Sequence, residues 1–280
     1  MAKENSLRTK LAKFYNDDSK HSRYQNIPDF VKAETGYEED LDELWRSDRP
    51  RYQYLLDVFK DLKFNSLLDV GANTGFFTLS FAKRFLEKEF TALELNPSHL
   101  EFIAIIKEHF QIDNLSTINQ PLDSTTLDNM PKADVILLFN VLHHAGADFD
   151  KALVPSLKEY EDYVIDYLQK VSKNCKYLVY QMGYNWGGNK KRPIIELNDD
   201  AGKAIFTERI LTKGNWKIKK VAYSRLNEEA QKYFYYERDA EFLANLGNED
   251  YLKKHLNAEE LKSQSEFYRR PIFICESTTI

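Results

Sequence analysis

Two adjacent histidines, His143 and His144, stand just past an almost wholly apolar run, Asp134–Phe139. Imidazole titrates nearest neutrality, so a histidine at the end of a buried strand is suited to take a proton from a hydroxyl. A second group of chemically capable residues lies upstream. The run SLLDV ends in Asp69-Val-Gly71-Ala-Asn73-Thr-Gly75, a glycine-bearing turn that opens a helical pattern. Roughly 20 residues on, the next apolar run ends in Glu94, where an acid in such folds receives two ribose hydroxyls. A carboxylate suits that task because it only accepts, through two oxygens, and it would repel a 2′-phosphate. The glycines are not spaced as G-x-G-x-x-G, which disfavours a nicotinamide dehydrogenase. Asp148 and Asp150 follow the histidine pair, but the pair alone is weak metal evidence and no metal is expected.

These residues need a scaffold that delivers them to one edge. Apolar residues at helical spacing mark a helix over Arg51–Lys63. Strands are then expected at Ser66–Val70, Phe90–Leu95, Leu115–Asn119, Asp134–Phe139, Tyr177–Gln181, Trp216–Tyr223 and Ile272–Glu276. Helical patterns fall between them, at Phe76–Phe85, Pro97–Phe110, Leu157–Val171 and Ala201–Leu211, and the long stretch Asn227–Gln264 reads as helical. Alternating strands and helices mean a doubly wound α/β sheet, whose ligands bind at the carboxyl ends of the strands. Six of the 10 glycines lie just past three of those ends. Residues 1–49 are polar with scattered aromatics and read as a helical cover segment, leaving 50–280 as the catalytic domain, with the insertion at about 227–264.

Composition narrows the class. The chain has 280 residues, 42% of them hydrophobic, enough to bury a core. A net charge of −5 counts against a generally basic nucleic-acid binder. Two cysteines, Cys175 and Cys275, cannot build a disulfide framework and read as buried thiols. No apolar stretch reaches the roughly 18 residues that span a bilayer, and no signal region is seen, so no membrane association and a cytoplasmic location are expected. Oligomeric state is not legible.

Taken together, LLDVGANTGFFTLSFAKRF, ALELNP and DVILLFNVLHH resemble, in order and spacing, the three main motifs of the class I S-adenosylmethionine-dependent methyltransferases. The likeness runs from about residue 52 to 225. It implies a Rossmann-like sheet of seven strands, mostly parallel with an antiparallel last strand, and S-adenosylmethionine as cofactor. Gly71 and Gly75 would let the loop pack on the methionine part, with Asn73 where the family has a middle glycine. Asp69 would lie near the amino group, Glu94 would hold the ribose and Leu95 would pack on the adenine. Leu122 and Asp123 fall where adenine is contacted, though Asp123 also reads as a turn acid. Asn140 would lie beside the methionine portion. Arg51 and Tyr54 could reach its carboxylate, though Tyr54 also reads as core.

The implied chemistry is methyl transfer, with His144, or else His143, as the base. Acceptor specificity is expected from added segments, through Arg23, Tyr24, Tyr184, Asn185, Trp186, Lys190 and Arg192, types that grip a polar or anionic small molecule. The expected acceptor is a sugar, a nucleotide-linked sugar or a surface-glycan intermediate. A tRNA wobble-uridine methyltransferase and a non-catalytic S-adenosylmethionine-binding protein are the other readings.

Overall fold

The computed structural model describes residues 6–15, 27–36, 48–121, 123–196, 199–256 and 269–280. The chain divides into two compact units, Met1–Pro121 and Leu122–Ile280. The segment 1–49 falls within the first.

The first unit is built on three parallel strands in the order β3-β2-β1: β1 (Ser66–Val70), β2 (Glu89–Leu93) and β3 (Leu115–Ile118). The helices are α1 (Leu7–Tyr15), α2 (Asp29–Thr35), α3 (Asp48–Asp61), α4 (Phe76–Arg84) and α5 (Pro97–Phe110). Every residue of α4 from Phe76 to Ala82 is buried, Thr78 and Ser80 included, so this helix is covered on all sides. Its rings meet those of neighbouring elements: Phe81 lies 5.0 Å from Phe59 and 6.4 Å from Phe90. The N-terminal helices lie over α5. Phe14 meets Phe102 edge-on at 5.6 Å, Phe30 meets Phe110 at 4.8 Å, and Lys13 pairs with Glu101 at 2.6 Å.

The second unit carries five strands in the order β4-β5-β8-β6-β7: β4 (Ala133–Phe139), β5 (Cys175–Gln181), β6 (Trp216–Asn227), β7 (Lys232–Glu237) and β8 (Ile272–Ser277). β4 and β5 run parallel, while β8 is antiparallel to both β5 and β6. The helices are α6 (Leu157–Ser172), α7 (Asp200–Lys213), α8 (Ala240–Ala244) and α9 (Glu249–Leu256). In α6 the buried residues Tyr160, Val164, Tyr167, Leu168 and Val171 repeat at helical spacing, and Ser156 caps its first turn by accepting from Lys158 N at 3.2 Å. The core is rich in tyrosine: Tyr160, Tyr167, Tyr180, Tyr184 and Tyr223 are all buried. Cys175 and Cys275 are buried free thiols.

The mixed α/β class is as expected, but the described residues form eight strands where seven were read. The difference lies in the stretch taken as helical from 227 to 264. It opens instead with a hairpin: β6 runs on to Asn227 and β7 pairs back on it, antiparallel. Lys232–Glu237 is dominated by aromatics, which favour a pleated surface over a helix. The turn hides its signal, because it has neither glycine nor proline. Asn227 Oδ1 accepts from Ala230 N at 2.8 Å, and Gln231 takes a left-handed φ of 50°. Two short helices, α8 and α9, do follow; the rest of that stretch, 257–268, lies outside the described residues.

Candidate functional site

In the first unit the turn after β1 is pinned to the end of β2. Gly71 N and Ala72 N both donate to Leu93 O, at 2.9 and 3.1 Å. Asn73 N donates to Glu94 Oε2 at 2.7 Å, and Asn96 N donates to Glu94 Oε1 at 2.9 Å. Asn119 Nδ2 donates to the carbonyls of Glu94 and Leu95, at 3.0 and 2.9 Å, which fixes the backbone that bears the acid. Asn73 takes φ 52°, a left-handed conformation that asparagine tolerates better than most side chains. Gly75 caps α4 at φ 76°, and a Cβ there would lie 2.7 Å from Ile103 Cγ1. Its lack of a side chain therefore serves the packing of α4 against α5.

Burial lifts the Glu94 pKa, but the His99 ring and the amides of Asn96 and Asn73 outweigh it and hold the carboxyl below its ordinary range. Asp69 differs. It is buried, its Oδ2 has no hydrogen-bond partner among the described residues, and its pKa is pushed up to about 7. Burial is the main cause and the Glu94 charge adds to it, while Arg51 works the other way. An orphaned carboxylate oxygen is costly, and a cationic amine is the ligand group that relieves it. Beside it Glu94 offers lone pairs, and Leu95 is 60% exposed, an apolar face open to a planar ring. These residues fit an amine, a ribose and a purine in one ligand. Arg51 is buried and ion-paired with Asp48, with its guanidinium 5.2 Å from the Phe77 ring centre, and Tyr54 is core.

In the second unit β4 ends at Phe139, and Asn140 turns the chain at φ 57°. Asn140 N donates to Gln181 O at 2.7 Å, its Nδ2 donates to Gln181 Oε1 at 3.2 Å, and its Oδ1 accepts from Arg270 Nη1 at 2.9 Å. Gln181 Nε2 in turn donates to Tyr235 OH and to Arg270 O, at 3.1 and 2.9 Å. A 3₁₀ turn, Leu142–His144, then sets out the two histidines, with ring centres 4.0 Å apart. His143 is buried and lies flat against Gly183, where a Cβ would meet its ring at 3.0 Å. Burial, then His144 and Arg270, hold its pKa well below the ordinary histidine value, so it is neutral. Its Nδ1 has no hydrogen-bond partner among the described residues. His144 is 30% exposed, and its Nδ1 lies 2.5 Å from Asp148 Oδ2. Asp123 accepts from Thr125 N and Thr126 N, at 3.0 and 3.2 Å, as a turn acid does.

Of the residues read as acceptor grips, Lys190 and Arg192 are exposed. The Arg192 guanidinium lies 3.8 Å from the Trp186 ring centre. Tyr184, Asn185 and Trp186 turn inward instead. Tyr184 OH bonds Thr207 Oγ1 at 2.7 Å and Trp186 Nε1 donates to Ala145 O at 2.6 Å. Large aromatics bury more area than a loop surface can spare, so they anchor this loop. Arg23, Tyr24 and Leu122 lie outside the described residues. Sequence reasoning missed His99 and Arg270 as parts of these clusters and met Asp148 only as a weak metal candidate. Asp148 is four residues from His144, a spacing that was legible. Arg270 lies 130 residues from Asn140 and carried no local signal. Among the described residues no group of three or more His, Cys, Asp or Glu is placed to hold a metal, and no helix is long and apolar enough to cross a membrane.

Residues 68–158 match the family model described as Methyltransferase domain. Among curated proteins no sequence matches. Three solved structures are similar in outline. The precorrin-6y C5,15-methyltransferase of Geobacter metallireducens GS-15 is 11% identical, over 86% of this chain and 94% of that one, with a TM-score of 0.45. The N-terminal domain of EvdMO1, crystallised in the presence of SAH and D-fucose, is 12% identical, over 99% of this chain and 97% of that one, at 0.47. The bifunctional kinase-methyltransferase WbdD is 15% identical at 0.44, over 66% of this chain, which spans 40% of that one.

Proposed function

We propose that this chain, whose residues 68–158 match a methyltransferase domain, uses S-adenosylmethionine as its cofactor and methylates a hydroxyl of a small polar or anionic acceptor. The observation that carries the acceptor chemistry is the pairing of His144 with Asp148. A carboxylate on Nδ1 holds the proton there and leaves Nε2 as the acceptor nitrogen.

The cofactor supplies an activated methyl group with a good leaving group, so no acid is needed. The chain's own residues hold the ligands and manage one proton. Asp69 and Glu94 would hold the amine and the ribose hydroxyls, and Leu95 would pack on the purine. The proton given up by the acceptor hydroxyl would pass to His144 Nε2, and Asp148 would stabilise the imidazolium across Nδ1. His143 is buried beside Arg270 and resists charge, so it packs the turn and leaves the proton to its neighbour. Arg270 places a cation in the same cluster, which supports an anionic acceptor. A sugar, a nucleotide-linked sugar or a surface-glycan intermediate meets these terms.

The test is a screen of nucleotide sugars and phosphorylated metabolites by mass, looking for a gain of one methyl group together with release of S-adenosylhomocysteine. Methylation confined to a tRNA uridine would replace this acceptor class. Cofactor binding without turnover on any acceptor would leave a non-catalytic binder.

A further inference from the structure

α5 opens with Asn96-Pro97-Ser98-His99. Asn96 caps the helix, and its Oδ1 accepts from Ser98 N at 3.0 Å. With the amide oxygen fixed by the cap, the amide nitrogen faces the other way and lies 3.3 Å from His99 Nε2. That nitrogen has only hydrogens to offer, so Nε2 must accept. A neutral imidazole then carries its proton on Nδ1. Nδ1 is buried, has no hydrogen-bond partner among the described residues, and lies 3.6 Å from Glu94 Oε1. That separation is too long for a hydrogen bond, and it leaves the carboxylate's lone pairs to the amides of Asn73 and Asn96 and to a ligand. It is short enough for a buried N–H dipole aimed at an anion to fix where the anion sits. Asn96 thus acts twice, through its backbone amide on Glu94 directly and through its side chain on the tautomer of His99.

We propose that His99 is a positioning residue for Glu94: its Nδ1–H, turned toward the carboxylate by the Asn96 cap, holds Glu94 where it presents its oxygens to the ribose. The inference rests on the ribose role proposed above for Glu94.

Two measurements on the full chain test it. Long-range proton–nitrogen NMR of the His99 ring above neutral pH should show the Nδ1–H tautomer, and the Nε2–H tautomer would overturn the proposal. Calorimetry with S-adenosylhomocysteine supplies the second arm. His99→Leu keeps bulk without a donor, whereas His99→Asn keeps an amide nitrogen near the place of Nδ1. The leucine variant should bind about fivefold or more weakly, while the asparagine variant stays within about twofold of wild type, as expected when a buried dipole facing the carboxylate is lost or kept. In a Glu94→Ala background the leucine penalty should vanish, because His99 acts through that carboxylate. Unchanged binding by His99→Leu, equal loss in both variants, or a penalty that persists without Glu94 would each sink the idea. If the leucine variant does not fold, the tautomer decides. A wild-type chain that fails to bind S-adenosylhomocysteine overturns the cofactor-site reading itself, a result separate from either variant's.

Discussion

Asp69 is costly to the free chain, and in the proposed complex a ligand amine would offset that cost. Its carboxyl stands near 7 in the folded state against an ordinary 3.8, because burial and then Glu94 disfavour its charge. The folded chain therefore keeps a proton that the unfolded chain sheds between these values. The stability linked to Asp69 is complete below the unfolded value and is lost as pH rises through the folded one. At about 1.4 kcal/mol per unit the penalty above neutrality is a few kcal/mol. Asp69→Asn should thus melt higher than wild type at pH 8, with the gap closing toward pH 4, and should bind S-adenosylhomocysteine more weakly. A gap that does not change with pH would remove burial as the cause. Glu94→Ala should lose at least about tenfold in the same affinity, since hydrogen bonds to a charged group contribute roughly 1.5–3 kcal/mol. His144→Ala should lower kcat by about 10²–10⁴ with cofactor affinity little changed. His143→Ala is the comparison: a larger kcat loss there would reverse the two roles.

Among the elements, the β1 turn and α4 are joined at Gly75. Alanine at this position would meet both a left-handed φ of 76° and the Ile103 side chain at 2.7 Å. Overpacking of this kind costs roughly 1–3 kcal/mol, so Gly75→Ala should lower the melting temperature, with part of the loss recovered by Ile103→Val. Full stability in Gly75→Ala would show that α5 yields at no cost. The elements bearing the site were legible because their periodicities are strong: SLLDV and DVILLF are buried runs, and Pro97–Phe110 is amphipathic behind a capped proline. The hairpin of β6 and β7 was not, because its turn is built from side-chain hydrogen bonds and one left-handed glutamine, with no glycine or proline to mark it.

At the scale of the molecule, salt dependence separates a small acceptor from a nucleic acid. A substrate gripped through many phosphates would bind about 10³–10⁵ more weakly at 200 mM than at 50 mM salt. Turnover on a small acceptor should change by only about threefold over that interval, and a steep loss would favour the tRNA reading. S-adenosylhomocysteine at a hundredfold excess over its dissociation constant should stabilise the fold by about 2.7 kcal/mol. Scanning calorimetry reads this as a rise in melting temperature, and no rise at any ligand excess would contradict binding to the native chain.

The sequence by itself determined the α/β class, the methyltransferase motifs and the residue types at each strand end, because those follow from local periodicity and from spacings within one strand–turn–helix unit. It also placed Asp69, Glu94 and the histidine pair as the groups with chemistry to offer. Only the tertiary structure decided what surrounds them. It left Asp69 Oδ2 without a hydrogen-bond partner among the described residues, paired Arg51 with Asp48, turned Tyr184 and Trp186 inward, set His99 beside Glu94, and brought Arg270 to Asn140 across 130 residues. Burial and hydrogen-bond partnership are properties of packing between distant segments, and no window along the chain contains both partners.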